Sequence, residues 1–502
     1  MTYPVYTPEE MRELDRNTMN HEGITSYQLM KRAADRLFDS ALNHGLIHED
    51  ARVLVLAGPG NNGGDAALLG LRLRKRGHKV HLLFIGKASK ATVENAEATR
   101  EAEDALPHSR LATQDEMKTL PTLIEGADII IDGLFGIGLS RNVTDVFHDV
   151  IETVNLSGLP IISLDIPSGV NGKNGLIQGI AIHADATLVI GGYKTGNLLG
   201  DALDTHGRIH LVDIGLEAGD FDESRTLHPL SHYEGTMPGR KHNTHKYDYG
   251  QVYVVGGSPD MPGAPHLAGL SALRSGAGLV RLCLDSETKN AVSPHRYELT
   301  YHTYTRPEEL LDKLGKVDAI VYGIGLGERN DQEAFLESLI ETRIPIVIDA
   351  DGLKVLKNVL KTFDKPLEHV IIVPHAGELA RFTGTSSETI LHDPLNAVRT
   401  VAKSTGMTVV LKGPASIVCS GAFMSFSQAK NPGLATAGSG DVLAGIAGSL
   451  IARKVPPFYA ARLAVAMHSL ASRHALDETG EESLTAGDII AHLPRAIRQF
   501  KS

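Results

Sequence analysis

The sequence predicts an α/β protein of two domains, each with helices on both faces of a mainly parallel sheet. A chain of 502 residues with 42% hydrophobic content is too long for a single hydrophobic core. Short runs of β-branched residues and leucine alternate with helical segments in both halves, which is the pattern of parallel strands joined by helices. An acidic stretch at 217–224, which contains Gly219, separates the halves and places the domains at residues 1–222 and 223–502.

Composition excludes several classes of protein. A formal net charge of -11 without a basic block argues against a nucleic-acid partner, because phosphate backbones are bound by Lys and Arg. Only Cys283 and Cys419 are present, both beside apolar residues, so neither a disulfide framework nor a zinc site is expected. The N-terminus is charged and no run of about 18 apolar residues follows, which predicts a cytoplasmic protein without a membrane segment.

The first domain opens with helices. Thr7 can cap a helix that starts at Pro8, Glu10 can complete a capping box, and two helices should reach about Leu37. A further helix is predicted over Ala66–Arg76. The predicted strands of this domain are Val53–Ala57, Val80–Ile85, Ile129–Ile131, Ile161–Leu164, Thr187–Ile190 and Leu211–Gly215.

Polar and glycine-rich stretches follow these strands, at the edge where parallel sheets bind ligands. The stretch Gly58–Gly63 matches the dinucleotide pattern G-x-G-x-x-G, which is a weak signal by itself. An NAD dehydrogenase would also place a carboxylate at the end of the second strand, where this chain has Phe84–Gly86. A redox dinucleotide domain is therefore disfavoured.

The same strand ends offer oxygen ligands. Asn62, Asp132 and Ser168 supply one carboxylate and otherwise neutral oxygens, a set that suits a hard cation of low charge, and Asp165 lies beside them. The alternative is that these residues only form turns and caps. Arg141, in the loop after the third strand, either meets a pyrophosphate or is a solvated surface residue.

These motifs resemble the YjeF N-terminal domain, the NAD(P)H-hydrate epimerase, over about residues 7–216. The matching stretches are Gly60–Asp65, Asp132 with Leu134–Gly136, Gly138–Arg141, Asp165–Gly169, and Lys194 with Gly196. The resemblance implies a Rossmann-like αβα fold, potassium on Asn62, Asp132 and Ser168, and Asp165 as a catalytic acid/base. Implied substrate contacts are Asn61, Asn62, Gly63, Gly64, Asp65, Gly136, Ile137, Gly138, Leu139, Ser140 and Arg141. Ala66, Ile137 and Lys31 stand where the family usually has glycine, threonine and glutamate.

The second domain is organised around Asn431–Ala444. Gly438–Gly440 can bring successive backbone N–H groups together, and Val442–Ile451 is the helix predicted to follow. The helix dipole adds about half a positive charge at this point, so the sequence predicts an anion hole. Asp441 stands at its rim, either as the base for a hydroxyl in phosphoryl transfer or only as a helix cap.

Other strand ends of this domain are also rich in glycine and polar residues, as expected where a ligand approaches the backbone. The predicted strands are Val252–Val255, Ala319–Tyr322, Ile346–Ile348, Val370–Val373 and Val409–Leu411, with a helix from Gly263 to Leu273. The stretches that follow the strands are Gly256–Ser258, Gly323–Gly327, Asp349–Asp351, Pro374–Glu378 and Lys412–Ser416. Each of them could instead be a turn.

This half resembles the ribokinase-like YjeF C-terminal domain, the ADP-dependent NAD(P)H-hydrate dehydratase, over about residues 235–499. The matching residues are Gly263–Pro265, Gly325, His375 with Gly377–Glu378, Lys412–Gly413, Asn431–Gly433 and Gly438–Asp441. The resemblance implies that the hydrate is contacted by Ala264, Gly325, His375 and the catalytic Asp441. Implied nucleotide contacts are Lys412, Gly413, Pro414, Ala415, Ser416, Gly438 and Gly440.

Taken in order, the two halves resemble the bifunctional enzymes that repair hydrated NADH and NADPH, called NADHX and NADPHX. The resemblance implies that R and S hydrates are epimerised and that the S hydrate is dehydrated with ADP, giving AMP and phosphate. Potassium and magnesium are the expected ions, with Asp349 near magnesium, and a homo-oligomer is expected. The alternative is a small-molecule kinase of the ribokinase-like class fused to a non-catalytic binding or scaffold domain.

Overall fold

The computed structural model describes residues 2–217, 224–291, 298–327, 331–427 and 431–501. Contacts within the chain divide it into two compact units, Tyr3–Glu223 and Ser224–Ser502. Most of the predicted linker, including Gly219 and the proposed boundary at residue 222, lies outside the described residues. No helix in the described part of the chain is long and apolar enough to cross a membrane.

The first unit alternates strands and helices. Its strands are β1 (Tyr3–Tyr6), β2 (Arg52–Ala57), β3 (Lys79–Ile85), β4 (His108–Leu111), β5 (Ile129–Gly133), β6 (Ile161–Leu164), β7 (Ala186–Ile190), β8 (Tyr193–Lys194) and β9 (Arg208–Val212). Its helices are α1 (Pro8–Glu22), α2 (Ser26–Asn43), α3 (Asn61–Arg76), α4 (Val93–Glu103), α5 (Leu120–Glu125), α6 (Asp145–Asn155) and α7 (Ala202–Thr205). The main sheet has the order β4-β3-β2-β5-β6-β7-β9 with every pair parallel, while β1 pairs with β8.

Both faces of this sheet are covered, which confirms the predicted three-layer arrangement. One face packs against α2, α3 and α4, and the other against α5 and α6. The central strand β5 is therefore buried on both faces, and this explains why Ile129–Ile131 is a continuous apolar run rather than an alternating one.

Several element boundaries differ from the sequence-based predictions. The predicted arm helix extends beyond Leu37 to Asn43, and the last strand is Arg208–Val212 rather than Leu211–Gly215. Helix α3 begins at Asn61, so the glycine-rich stretch after Gly60 is its first turn and not a loop. Glycine is required at Gly63 because the turn packs tightly there: a Cβ would lie 2.0 Å from the Gly58 carbonyl oxygen.

The second unit has the same alternation with a different sheet. Its strands are β10 (Arg225–Leu227), β11 (Gln251–Val255), β12 (Leu279–Asp285), β13 (Thr300–Tyr304), β14 (Ala319–Tyr322), β15 (Ile346–Ile348), β16 (Val370–Ile372), β17 (Thr408–Leu411), β18 (Ile417–Ser420) and β19 (Phe423–Phe426). Its helices are α8 (Ala264–Arg274), α9 (Ser286–Ala291), α10 (Pro307–Leu311), α11 (Gln332–Glu341), α12 (Asp351–Val359), α13 (Ala376–Thr383), α14 (Ser387–His392), α15 (Pro394–Thr405), α16 (Ser439–Ala452), α17 (Pro457–Thr479) and α18 (Ala486–Gln499).

The strands of the second unit follow the order β13-β12-β11-β14-β15-β16-β17-β18-β19-β10. Pairing is parallel from β13 to β17, antiparallel from β17 through β19, and parallel again between β19 and β10. Helix α16 lies in the main core of this unit, and every residue from Val442 to Ala452 is buried. Its N-terminal turn is consequently fixed in position at the carboxyl ends of the parallel strands.

Candidate active sites

The first unit contains a cavity of about 610 Å³ at the carboxyl ends of its strands. Helix α1, the start of α3 and the loop after β5 contribute to its wall. Predicted site residues that line it are Asn61, Asn62, Asp65, Gly136, Ile137, Gly138, Leu139, Ser140, Arg141 and Asp165. Gly63 and Gly64 are buried behind this wall, against Gly58 and Met30 respectively, so their role is to let the first turn of α3 pack closely.

Asp165 has a strained backbone conformation, and its carboxylate contacts two neighbouring residues. Its backbone has φ 67°, a left-handed conformation that residues other than glycine seldom adopt. Its carboxylate forms an ion pair with Lys194, whose side chain is 1% exposed, and accepts a hydrogen bond of 3.1 Å from the Ile190 backbone N–H. Lys194 also donates to the Ile190 carbonyl at 2.6 Å. This geometry presents a charged lysine and a carboxylate together at the cavity wall.

Two further carboxyl groups, those of Asp15 and Asp65, line the same cavity. Burial, together with the charge of Asp165, raises the pKa of Asp15 to about 6, and Lys194 opposes that shift. Burial and the charges of Asp165 and Asp15 also raise the pKa of Asp65 well above its ordinary value. Asp15 and Asp65 therefore bind a proton more tightly than ordinary carboxyl groups do.

Asp15 is not predicted as a site residue from the sequence. It lies in the middle of α1, where an aspartate in an amphipathic helix gives no signal of function. The capping box predicted for this helix is confirmed: the Glu10 carboxylate accepts from the Thr7 N–H at 2.7 Å, and the Thr7 hydroxyl accepts from the Glu10 N–H at 3.3 Å. Asp15 reaches the cavity only through the tertiary packing of α1, whose Met11 and Leu14 cluster with Ile137 in the loop after β5.

Asn62, Asp132 and Ser168 lie together behind the loop after β5. Asp132 is buried and accepts from the Ser168 hydroxyl at 2.5 Å and from the Ser163 hydroxyl at 2.7 Å. Burial raises the pKa of Asp132, and these donors oppose the shift. The Asn62 amide donates to the carbonyls of Phe135 (2.9 Å) and Leu164 (3.1 Å), which fixes its orientation.

One atom of this cluster has no partner. The side-chain oxygen of Asn62 is buried and accepts no hydrogen bond within the described part of the chain. A buried amide oxygen normally has a donor or an ion beside it, because leaving it bare costs about 1–3 kcal/mol. The Asn62 oxygen can therefore take a cation of low charge. Each Asp132 oxygen already accepts two hydrogen bonds, so this carboxylate supplies negative charge to the cluster.

Ala66, which stands where the family usually has glycine, fits its surroundings. It is fully buried in α3 and faces Gly133 at the end of β5. A Cβ on Gly133 would lie 2.4 Å from the Ala66 methyl group, so the absence of a side chain at Gly133 leaves the room that Ala66 occupies. The substitution is accommodated without displacing the site.

The second site is built on the N-terminus of α16. The helix begins at Ser439 and not at Val442, with Gly438 preceding it in a left-handed conformation of φ 86°. Asp441 therefore lies inside the first turn, and the cap position belongs to Gly438, which has no side chain to cap with. The reading of Asp441 as only a helix cap is wrong. The first-turn N–H groups and the helix dipole face the same region, as an anion site requires.

A network of charges lies beside this turn. Lys412, at the end of β17, contacts both carboxylate oxygens of Asp349 at 2.8 and 3.1 Å and lies 3.6 Å from Glu378. Burial works against the charge of Lys412, but these two carboxylates hold its pKa above the ordinary value. Gly440 lies against the pair, since a Cβ there would be 3.2 Å from the Lys412 ammonium and 3.5 Å from an Asp349 oxygen.

Asp441 shares this environment without a direct bond to Lys412. Burial, with the negative charges of Asp349 and Glu378, raises its pKa to about 7, and Lys412 opposes the shift. A carboxylate whose pKa lies near neutrality is suited to accept a proton during a reaction at that pH.

The remaining predicted residues of this site fall into three places. His375 caps α13, its Nδ1 accepting from the backbone N–H groups of Gly377 (3.0 Å) and Glu378 (3.3 Å), so only its other ring nitrogen can face a substrate. Ala264 and Gly325 are neighbours: a Cβ on Gly325 would lie 3.1 Å from the Ala264 methyl group. The residues Gly413, Pro414, Ala415 and Ser416 form the turn between β17 and β18.

Comparison with known proteins gives matches to both units. A family profile described as YjeF-related protein N-terminus matches residues 26–196, and one described as NAD(P)H-hydrate dehydratase matches residues 252–495.

Similar proteins extend over nearly the whole chain. The bifunctional NAD(P)H-hydrate repair enzyme Nnr of Coxiella burnetii is 32% identical over 97% of this chain and 98% of its own length. The enzyme of the same description from Escherichia coli K12 is 32% identical over 99% of this chain and 94% of its own length. A solved ribokinase-like superfamily protein from Enterococcus faecalis aligns with a TM-score of 0.51 at 22% identity, covering 57% of this chain and 99% of that one, and this likeness concerns the fold alone.

Proposed function

Because the chain belongs to the family of bifunctional NAD(P)H-hydrate repair enzymes, we propose that it restores NADH and NADPH from their hydrates in two steps. The first unit interconverts the R and S hydrates, and the second dehydrates the S hydrate with ADP. The observation that carries this proposal is that each unit has its own polar site at its own strand ends, Asp165 with Lys194 in one and Asp441 beside Lys412 in the other.

In the second unit the terminal phosphoryl group of ADP moves to the hydroxyl of the hydrate, and Asp441 accepts the hydroxyl proton. The new C–O–P linkage then breaks at carbon, phosphate leaves with the hydrate's oxygen, and loss of the neighbouring ring proton restores the double bond. The products are AMP, phosphate and the reduced cofactor. The raised pKa of Asp441 supports its role as the base.

The N-terminal turn of α16 and Lys412 would stabilise the negative charge on the transferring phosphoryl group. Gly440 supports this role because its missing side chain leaves the Lys412 ammonium accessible from the helix. Magnesium would arrive with the nucleotide phosphates. Asp349 and Glu378, the carboxylates in contact with Lys412, would hold this ion, which would supply positive charge to the phosphates.

In the first unit the hydrated carbon must lose and regain its bond to the ring nitrogen or to oxygen for the epimers to interconvert. Asp165 would transfer the proton, with Lys194 holding its carboxylate in place. Asp15 and Asp65 support this assignment, because they give the proton a second acceptor inside the cavity.

We also propose potassium as the ion of the first unit, held by Asn62, Asp132 and Ser168. The unpartnered Asn62 oxygen supports this choice, and a singly charged ion suits a set with one carboxylate. When bound, the ion would fix the loop that carries Gly136–Arg141 against the substrate, as the contacts of Asn62 and Ser168 with Phe135 indicate.

The deciding experiment incubates the full chain with purified S-NADHX and ADP while the absorbance of the reduced nicotinamide is followed and AMP is counted. One AMP for each NADH supports the dehydratase, whereas a stable phosphorylated product would favour the alternative of a small-molecule kinase. A parallel incubation of R-NADHX without ADP, analysed by chromatography, tests the epimerase. The absence of interconversion above the spontaneous rate would leave the first unit as a binding domain. Cytoplasmic location and a homo-oligomer stay predictions of the sequence.

A further inference from the structure

The first unit has a second cavity, of about 190 Å³, on the other side of its glycine-rich turn. It lies at the carboxyl ends of β2, β3 and β4, and Phe84, Ala91 and Ala96 are among its apolar lining residues. The guanidinium of Arg110 lies over the Phe84 ring, 4.9 Å from its centroid. The cavity thus offers an aromatic side chain and a planar cation to a flat ligand group.

The two cavities meet at the loop before α3. Pro59 lines both of them, and the Asn95 amide on α4 holds this loop by donating to the carbonyls of Gly58 (3.0 Å) and Gly60 (2.8 Å). The strand order reverses between β2 and β5, and in open parallel sheets a dinucleotide spans that point with its pyrophosphate at the first helix N-terminus. One cavity on each side of this turn matches the two halves of such a ligand.

Charge in the second cavity is opposite to that of the whole chain. Its charged lining residues are Lys87, Arg100, Arg110 and Glu103, of which Arg110 and Glu103 pair at 2.9 Å. Lys87 and Arg100 are exposed and have no carboxylate partner among the residues that the structure describes. A protein that binds NAD alone places a carboxylate at the end of β3 for the ribose, whereas a cation there accepts a 2′-phosphate.

We propose that this second cavity binds the adenosine half of the dinucleotide hydrate and that Lys87 and Arg100 bind the 2′-phosphate of NADPHX. The proposal rests on the proposed epimerase function and adds a substrate preference to it. The reacting ring lies in the larger cavity with Asp165, and the pyrophosphate crosses the Gly58–Gly60 loop. The missing carboxylate that argued against an NAD dehydrogenase is then the feature that admits the phosphorylated cofactor.

The test compares epimerisation of R-NADPHX and R-NADHX by the full chain without ADP, corrected for the spontaneous rate. Lys87→Ala with Arg100→Ala should raise KM for NADPHX by about 10-fold or more, because charge-assisted hydrogen bonds to the phosphate are lost. KM for NADHX should change less than about twofold. Lys79→Ala, which removes an exposed lysine from the opposite end of β3, is the matched control and should alter neither value.

A second variant tests the adenosine assignment. Ala96→Trp projects a ring into the cavity from an exposed position on α4, so it should weaken the binding of both dinucleotide hydrates. Binding of the hydrate of nicotinamide mononucleotide, which lacks adenosine, should not change. Equal effects on NADHX and NADPHX in the double variant, or equal effects of Ala96→Trp on the mononucleotide, would overturn the proposal. If the unmodified chain epimerises neither dinucleotide, the proposed function itself is wrong.

Discussion

At the scale of single residues, the two proposed catalytic carboxylates differ in whether they form an ion pair with the nearby lysine. Asp165 bonds directly to Lys194, and the pair is buried, so the charge of each is compensated by the other. Asp441 is near Lys412, but that lysine is bonded to Asp349. Burial, together with the negative charges of Asp349 and Glu378, raises the pKa of Asp441 to about 7. The difference suits Asp441 to gain a proton during its reaction.

The raised pKa predicts how dehydration depends on pH. Below pH 7 Asp441 is protonated and cannot accept the hydroxyl proton, so the rate at saturating ADP should rise between pH 6 and 8. Asp441→Asn should lose this rise and be slower by about 100-fold or more. Initial rates of NADH formation from S-NADHX measure both effects, and Asp477→Asn, an exposed aspartate in the same unit, is the matched control.

The same substitution has an expected effect on stability. Since folding raises the pKa of Asp441, the folded chain binds this proton more tightly, and ionisation of the group costs stability as the pH rises through 7. Asp441→Asn should therefore not lower the melting temperature at pH 8. A marked loss there would mean that the carboxylate is structural, which contradicts its assignment as a base.

The oxygen cluster predicts an ion dependence. Potassium should support epimerisation more than sodium, and Asp132→Asn should weaken that dependence because the only carboxylate of the set is lost. Rates of R-NADHX interconversion across potassium concentrations measure the effect. Ser163→Ala removes a donor to Asp132 that is not itself a proposed ligand, so it should keep the preference for potassium. Equal rates in potassium and in a bulky organic cation would contradict the assignment.

At the scale of elements, both sites use a helix that starts directly after a glycine. Gly60 precedes α3 and Gly438 precedes α16, and neither provides a side-chain cap. At α16 the N–H groups of Gly440 and Asp441, which a Ser or Asp cap would have bound, are thereby left for another acceptor. At α3 the Gly63 N–H instead donates to the Gly60 carbonyl at 3.0 Å. The two helices differ in their surroundings, since α3 adjoins an oxygen cluster and α16 adjoins the partly buried Lys412.

Gly440→Ala should have different effects on the stability of the fold and on the binding of ADP. Alanine favours a helix over glycine by about 1 kcal/mol, so the fold should not lose stability. The added methyl group would lie 3.2 Å from the Lys412 ammonium, which Asp349 holds in place, and ADP binding should weaken by about 10-fold. Calorimetric titration with ADP and thermal unfolding measure the two effects.

Gly487→Ala is the control for this prediction. Gly487 occupies the corresponding second position of α18 and is exposed, and its added methyl group would lie 3.6 Å from the Thr485 hydroxyl, an ordinary contact. It should leave ADP affinity unchanged. Equal loss of affinity in both variants would show that the effect comes from general helix changes and not from the Lys412 site.

At the scale of the whole molecule, the chain has two compact units, each with its own sheet, core and site. All the residues proposed for epimerisation lie before residue 218, and all those proposed for dehydration lie after residue 263. No residue is shared between the two proposed sites. Separate chemistry on one chain is the expected consequence, and it matches the bifunctional description of relatives that align over nearly their full length.

Independence of the sites predicts crossed phenotypes. Asp165→Asn should abolish interconversion of the hydrates and still repair S-NADHX with ADP, while R-NADHX turns over only as fast as it epimerises spontaneously. Asp441→Asn should do the reverse. Chromatography of a mixture of R-NADHX and S-NADHX, incubated with and without ADP, measures both activities in each variant. Asp204→Asn, which changes an exposed residue of the first unit, is the control. Loss of both activities in either variant would contradict independence.

The sequence by itself determined the fold class, most of the central strands and the main motifs, because these depend on local patterns. Runs such as Ile346–Ile348 are apolar at every position since both faces of a parallel sheet are covered, and glycine-rich stretches mark the places where backbones approach closely. The edge strand β4 escaped prediction because His108–Leu111 has one buried residue and no apolar run.

Only the tertiary structure decided which side chains meet. Asp349 and Lys412 are 63 positions apart. Asp15, on α1, lies near Asp165, which follows β6, and near Lys194 on β8. The second cavity likewise combines Lys87, after β3, with Arg100 on α4 and Arg110 on β4. Such groups are brought together by the order of strands in the sheet, which crossover connections set without leaving a local pattern in the sequence. The pKa values of Asp441 and Asp15 depend on those neighbours, so they too could be known only from the folded chain.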